Sequence, residues 1–266
     1  MNLQGEPVGA AIVAALRAGN AYAKVRAARA VAREWRLGRL AFDFPEAMPE
    51  RPGRPERPEL MKPRHMPRRG RGQSLKGRIA LLHSIAHIEF VAIDLALDMA
   101  GRFGPEMGQG FVGDFLAVAA DEAMHFALLD RHLRSLGSHY GALPAHDGLW
   151  GAAHNTRHDV AARLAVVPML LEAHGLDVTP RILERVREAG DMRGARILEQ
   201  ILDDEIRHVA VGAKHFFALC KGRNASPPQL WKMLRNAHFA GPVHPPFNDS
   251  ARRAAGLSRE FYAEVE

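Results

Sequence analysis

An all-α fold, a four-helix bundle made of two similar helical hairpins, is predicted by three features of the 266-residue sequence. The first is a pair of motifs that set a carboxylate and an imidazole three residues apart, Asp121-Glu122-Ala123-Met124-His125 and Asp204-Glu205-Ile206-Arg207-His208. Residues i and i+3 share a helix face, so each Glu-x-x-His pair can hold one metal ion. The second is a lone glutamate in each half, Glu89 and Glu172, among apolar neighbours where an unpaired carboxylate is costly. The third is spacing: Glu89 to Glu122 and Glu172 to Glu205 both span 33 residues (122 − 89 and 205 − 172). The same order at the same interval, twice, is an internal duplication. Folded antiparallel, the two hairpins would gather four glutamates and two histidines at the bundle centre as a carboxylate-bridged two-metal site. The alternative on these residues alone is a metal-free bundle with buried ion pairs.

In chain order, residues 7–17 and 21–38 read as helices broken at Gly19-Asn20. The second carries an apolar stripe of Tyr22, Val25, Ala28, Val31, Ala32 and Trp35 and is expected to pack outside the bundle. Residues 43–72 hold Pro45, Pro49, Pro52, Pro55, Pro58, Pro63 and Pro67 among arginines, which predicts an extended strap. The first bundle helix is expected from its cap Ser74 to Gly101, with Leu82, Ile85, Ala86, Glu89, Ile93 and Ala96 on one face. His83 and His87 fall off that face and read as outward or supporting hydrogen-bonding residues. The second helix should start near Pro105, carry Phe111, Phe115, Val118, Glu122, His125 and Leu129, and stop at Gly137.

Residues 138–147 have loop composition and join the hairpins. The third helix is expected over 148–174 with Asp147 as cap, kinked at Pro168 because proline lacks a backbone donor and crowds the carbonyl of Leu164. A break is expected at 175–180, then a short helix to Glu188. The fourth begins at Asp191, turns Ile197, Ile201, Glu205, His208 and Val209 inward, and ends near Gly222. Ser226-Pro227-Pro228 caps another short helix. The expected organisation is helices and strap over 1–73, the metal-binding bundle over 74–222, and short helices with a wrapping tail over 223–266.

With 47% hydrophobic and 25% charged residues the chain is an ordinary globular one rather than a disordered one. Its most apolar stretch, 79–100, contains His83, His87, Glu89, Asp94 and Asp98, which suits a buried bundle helix and not a bilayer span. The apolar run 9–16 follows Glu6 and no basic residue, so no secretory signal is expected. A single cysteine, Cys220, excludes an internal disulfide framework and fits the cytoplasm. The net charge of +6 is uneven: residues 74–221 hold 15 basic and 19 acidic side chains, residues 1–73 hold 15 and 7. The basic arm is expected to wrap the acidic body of its own chain; it lacks an aromatic-interleaved motif for RNA.

Glutamate and histidine suit iron or manganese, and no cysteine occupies a ligand position, which argues against an iron–sulfur site. Glu122 with His125 would hold one metal and Glu205 with His208 the other, with Glu89 and Glu172 terminating or bridging. Two iron ions are the expected cofactor, a manganese–iron pair the variant. Metal-bound histidines donate their far N–H to a carboxylate, which places Asp121 to support His208 and Asp204 to support His125. Ile85, Ile93, Leu129 and Met169 would leave an apolar space for an organic substrate.

The two Asp-Glu-x-x-His motifs resemble those of carboxylate-bridged di-iron oxygenases and of the small subunit of ribonucleotide reductase. More closely, His87-Ile88-Glu89, the segment from Leu143 to Trp150 and the segment from Leu171 to Pro180 resemble a bacterial ferritin-like family known as a domain of unknown function (455), over most of the chain. The similarity extends, at greater distance, to the tRNA hydroxylase that oxidises a prenylated, methylthiolated adenosine. The resemblance implies a ferritin-like fold with a long connection between the second and third helices and a di-iron site, but no substrate. It makes the expected function an oxygen-dependent di-iron oxidoreductase, a hydroxylase, monooxygenase or oxidase using dioxygen, an electron-donor protein and a small organic substrate. A tRNA-modifying hydroxylase and a non-catalytic iron-binding protein are the alternatives. The reductase likeness would put a radical tyrosine one turn after the first histidine. Leu129 stands there, and Tyr22, Tyr140 and Tyr262 lie off the expected bundle helices, so no stable tyrosyl radical is expected.

Overall fold

Each copy of the repeat lies in its own compact unit, residues 1–148 and residues 149–266. The computed structural model describes residues 3–62, 65–66, 74–241 and 243–263, and among these all regular structure is helical.

The first unit is built on a long hairpin. Helix α3 (Leu75–Met107) begins at Ser74, whose hydroxyl accepts from the Gly77 N–H at 3.1 Å. Helix α4 (Gln109–Ser135) follows after Gly108 alone, so the two run antiparallel. Gly108 reverses the chain at φ 86°, a backbone region open to glycine, while its N–H closes the last turn on the Gly104 carbonyl at 2.9 Å. The expected end of the first helix at Gly101 and start of the second at Pro105 are therefore corrected: α3 runs on through Pro105. Phe103 and Gly104 are still buried there, and a proline so near the terminus removes one donor without breaking a long ladder.

Against this hairpin pack α1 (Val8–Leu16) on α3 and α2 (Ala21–Arg36) on α4. Asn20 caps α2, its Oδ1 accepting from the Ala23 N–H at 3.0 Å. Val25, Ala28 and Val31 are buried as the stripe requires, whereas Tyr22 is 45% exposed and Lys24 is fully buried. The Lys24 ammonium donates to the carbonyls of Leu16 (3.0 Å) and Gly53 (2.8 Å) and pairs with Asp94 of α3. Arg54 lies 3.3 Å from the same Asp94 and 3.7 Å from Asp147.

Arg54 belongs to the strap, which docks on its own unit as expected. The Gly53 N–H meets the Leu16 carbonyl at 2.8 Å, and Ala145, in the connector 136–147 that follows α4, bonds the strap twice, its carbonyl accepting from the Met61 N–H at 2.8 Å and its N–H donating to the Glu59 carbonyl at 2.9 Å. Of the strap prolines, Pro63 and Pro67 lie outside the described residues. Helix α3 is long and apolar enough to cross a membrane. Its buried Asp94 and Asp98 are instead neutralised by Lys24 and Arg102, which marks it as the core helix of the unit.

The second unit departs from expectation in its first hairpin arm. In place of one helix over 148–174 there are α5 (Gly148–Asn155), a break, α6 (Val160–Val166) and a π turn (Val167–Glu172) that leads without interruption into α7 (Ala173–Glu188). Asp159 caps α6, accepting from the Ala161 N–H at 2.8 Å, and the buried Arg163 ties the corner to Thr156 Oγ1 (3.0 Å) and the Ala153 carbonyl (2.6 Å). Pro168 disturbs the helix as its chemistry demands, through a widened π turn.

The expected break at 175–180 does not occur. Pro180 cannot donate to the Leu176 carbonyl, but Asn248 Nδ2, 72 residues away, does so at 3.1 Å, and Thr179 Oγ1 donates back to the Gly175 carbonyl at 2.7 Å. Helix α8 (Met192–Gly222) returns antiparallel from its cap Asp191, which accepts from the Gly194 N–H at 2.8 Å. Close approach of the arms needs Gly212: a Cβ there would lie 2.4 Å from Cβ of Pro168. Helices α9 (Pro227–His238) and α10 (Asp249–Ala254) complete the unit. Trp231 of α9 donates to the Ala165 carbonyl at 3.1 Å beside the disturbed turn, and Arg252 of α10 forks onto Asp177 at 2.9 and 2.6 Å.

Candidate metal centre

In the first unit the α3–α4 hairpin brings Glu89, Glu122 and His125 together. All three are buried, at 4%, 0% and 0% exposure. His125 Nδ1 lies 3.0 Å from Glu89 Oε2 and 3.5 Å from Glu122 Oε2, and one ligand atom from each residue falls within 4.8 Å of the others. Burial works against a charged imidazole here, yet the hydrogen bonds and attraction of Glu122 and Glu89 push His125 up to about 11. Two buried carboxylates thus draw a cation, proton or metal, into this space.

Two donors bonded to one ion at roughly 2.1 Å each stand no more than about 4.2 Å apart. Small side-chain adjustments suffice to close the cluster on an ion, and the oxygen and imidazole donors fit iron or manganese.

In the second unit Glu205 and His208 share one turn of α8, with His208 Nδ1 3.7 Å from Glu205 Oε1. His208 is 2% exposed, whereas Glu205 is less buried. Glu172, half-buried, ends the π turn. Since Pro168 meets Gly212 across the hairpin, Glu172, four residues on, comes level with His208, four residues back. The register repeats that of Glu89 and His125 in the first unit. Of the expected supporting carboxylates, Asp204 is buried and pairs with Arg207, and Asp121 is half-buried on the side of α4 that faces α2. Ile93, Leu129 and Met169 are fully buried and Ile85 half-buried.

Sequence reasoning missed how the connector 136–147 packs onto the first hairpin, against His83 and His87 and against the phenylalanines beside the ligands. Of the two roles the sequence allows His83 and His87, outward or hydrogen-bonding support, the structure shows the second: they are buried at 1% and 5% exposure and hold this connector. His83 Nε2 accepts from the backbone N–H of Gly141 (2.9 Å) and of Leu143 (3.4 Å). His87 Nε2 meets the His146 carbonyl at 3.1 Å and so carries the proton, leaving Nδ1 to accept from the Tyr140 hydroxyl at 3.0 Å. Burial holds both imidazoles down, His83 to about 4 and His87, with Arg54 adding repulsion, to about 3.

Tyr140, in a loop, packs its ring on Phe90 and Phe126 at centroid distances of 5.2 and 4.9 Å, and these are the chain neighbours of Glu89 and His125. Burial raises its hydroxyl above the usual phenol range. The one available signal was the pair of histidines a turn apart on an apolar helix with a loop aromatic to receive them.

A family model described as "Protein of unknown function (DUF455)" matches residues 17–263. The chain belongs to the DUF455 family. It is similar to an "Uncharacterized protein" of Haemophilus influenzae, 41% identical over 239 residues that cover 84% of this chain and 81% of that one. No solved structure matches. The DUF455 match takes in both copies of the hairpin and all six candidate ligands, so both half-sites lie within the region that defines the family.

Proposed function

We propose that this DUF455 protein is an oxygen-dependent di-iron oxidoreductase of the ferritin-like class, with Glu89, Glu122, His125, Glu172, Glu205 and His208 as its metal ligands. The observation that carries the reading is the buried cluster of Glu89, Glu122 and His125 with ligand atoms within 4.8 Å. The repeat supports extending it: Glu172, Glu205 and His208 recur at the same interval. Iron held there would supply electrons to dioxygen. The chain's part is to provide negative charge in a dry site, to keep each imidazole on the turn that carries its glutamate, and to exclude water with Phe90, Phe126 and the connector. Asp121 and Asp204 act as positioning residues for the histidines, so their asparagine variants lower metal affinity by about 10- to 100-fold with the fold retained. Ile85, Ile93, Leu129 and Met169 are the residues assigned to the apolar substrate space.

Anaerobic loading with Fe(II), metal counting and then measurement of oxygen uptake with a reductant tests the reading. Two irons per chain and reductant-dependent uptake are expected. Full retention of two irons in a Glu122→Ala, Glu205→Ala double variant refutes the ligand assignment. Binding without uptake would leave a non-catalytic iron-binding protein.

A further inference from the structure

In the strap, Arg51 lies against Asp147 and Arg54 against Asp94 and Asp147, but the arginines of α2 are placed differently. Arg26, Arg29, Arg33 and Arg36 recur at intervals of three, four and three residues and are all exposed. Arg33 lies 3.4 Å from the adjacent Glu34. Arg26, Arg29 and Arg36 make no ion pair among the described residues, unlike Arg54, Arg102 and Arg134 of the same unit, which sit on Asp94, Asp98 and Asp130.

These guanidiniums edge a groove of about 760 Å³ between α2 and α4. Its floor is small and apolar: Ala30 and Ala32 from α2 face Gly113, Ala117 and Ala120 from α4. Trp35 stands in it, with its indole nitrogen 3.1 Å from where a Cβ on Gly113 would be. Asp121 is the acidic residue among the lining side chains.

We propose that this groove binds a segment of single-stranded nucleic acid, its phosphates on the arginine row and its bases against the alanine floor and Trp35. The row extends over ten residues of helix, about 15 Å, with neighbours roughly one turn apart. That interval is comparable with the step between successive phosphates on an extended strand, and the row is too long to converge on one phosphate group. Guanidinium is the side chain best matched to phosphate oxygens, and a basic groove with an aromatic beside it is how unpaired bases are held without sequence readout. An acidic peptide would satisfy the charges but has no planar faces for the floor. The site is independent of the metal reading and is tested on metal-free protein.

The experiment titrates metal-free protein with a fluorescein-labelled 12-mer of oligouridine and, separately, with a 12-residue oligoglutamate, reading anisotropy and tryptophan emission over a salt series. Trp150 and Trp231 are buried, so quenching reports Trp35. Saturable binding of the oligouridine is expected, with log affinity falling against log salt at a slope of about −2, as for three phosphates of a single strand. Quenching should be lost in Trp35→Phe, and affinity should fall about tenfold or more in Arg29→Glu/Arg33→Glu. The strap control Arg51→Glu should bind as the unaltered protein does, and circular dichroism should show the same helix content in every variant. Three results overturn the proposal: no binding at low salt, binding that survives the Arg29/Arg33 change, or oligoglutamate bound as tightly as oligouridine, which would make the groove a docking site for an acidic protein.

Discussion

Glu122 and Glu205 open the same motif on equivalent helices, yet they sit in different surroundings. The first is completely buried on a regular α4, facing a regular 33-residue α3 that also carries Asp94, paired with Lys24 and Arg54, and the histidines that hold the connector. The second is partly open on α8, facing an arm that passes through a π turn ending at its partner Glu172. The two copies share residue types and intervals while their scaffolds differ, one a regular helical hairpin and one interrupted by a π turn. π turns recur at functional sites because they let a side chain shift without unwinding a helix. On the proposed di-iron reading, the first half-site is expected to hold its metal more tightly and the second to adjust more readily.

The largest effect should separate the halves directly. In Glu122→Ala the first half loses one of two buried carboxylates, and metal analysis is expected to show less than one iron retained. In Glu205→Ala one tightly held iron is expected to remain, because Glu89, Glu122 and His125 are intact. Equal retention in the two single variants would erase the proposed difference.

Next comes the bracing of the first half. Lys24→Ala leaves Asp94 facing Arg54 alone, in a place where breaking a buried pair costs about 3–5 kcal/mol. Chemical denaturation should show a loss of that order, with the strap exposed to proteolysis at lower denaturant. A loss below 1 kcal/mol would show that the network is dispensable.

The adjustable half is probed at Gly212. A methyl group there meets Pro168, and overpacking of this kind costs roughly 1–3 kcal/mol. The strain falls on the turn that carries Glu172, so Gly212→Ala should weaken the more loosely held iron while leaving the first in place. Unchanged affinity for both would separate the π turn from metal binding.

These contrasts mark what was readable beforehand. The Glu-x-x-His spacings and the disturbance at Pro168 are local or periodic: both pairs lie on long helices, α4 and α8, and the helix is disturbed at Pro168, as the sequence predicts. What escaped depends on partners far along the chain. Asn248 repairs the ladder at Pro180, so a sequence rule that breaks helices at Gly-and-Pro stretches fails there. Lys24 lies on an apolar face because Asp94, 70 residues on, neutralises it. His83 and His87 turn inward because the connector returns to offer N–H, carbonyl and hydroxyl partners. Neither periodicity nor propensity carries that information.

The smallest effect concerns this connector, which His83 and His87 hold to α3. His83 is neutral in the folded protein, its Nε2 accepting two backbone N–H groups, and it titrates at about 4 rather than near 6.5 because it is buried, with His139 repelling and Asp130 attracting a proton. Once the connector opens, the imidazole returns toward its ordinary value. Between pH 6.5 and 4 the open form therefore binds more protons than the closed one, so the contribution of His83 is complete above about pH 6.5 and declines as the pH falls toward 4. The decline should amount to about 1–3 kcal/mol. Protonation places an N–H against the N–H groups of Gly141 and Leu143, which supplies the mechanism. Hydrogen exchange, corrected for its intrinsic pH dependence, should show residues 138–147 losing protection across this window while α8 keeps its own. In His83→Gln, which accepts the same bonds without titrating, the pH dependence should flatten. If protection of the connector is constant from pH 7 to pH 4, or if the glutamine variant loses it just as steeply, the closure is set by its other contacts, Tyr140 and the strap, and not by the imidazole.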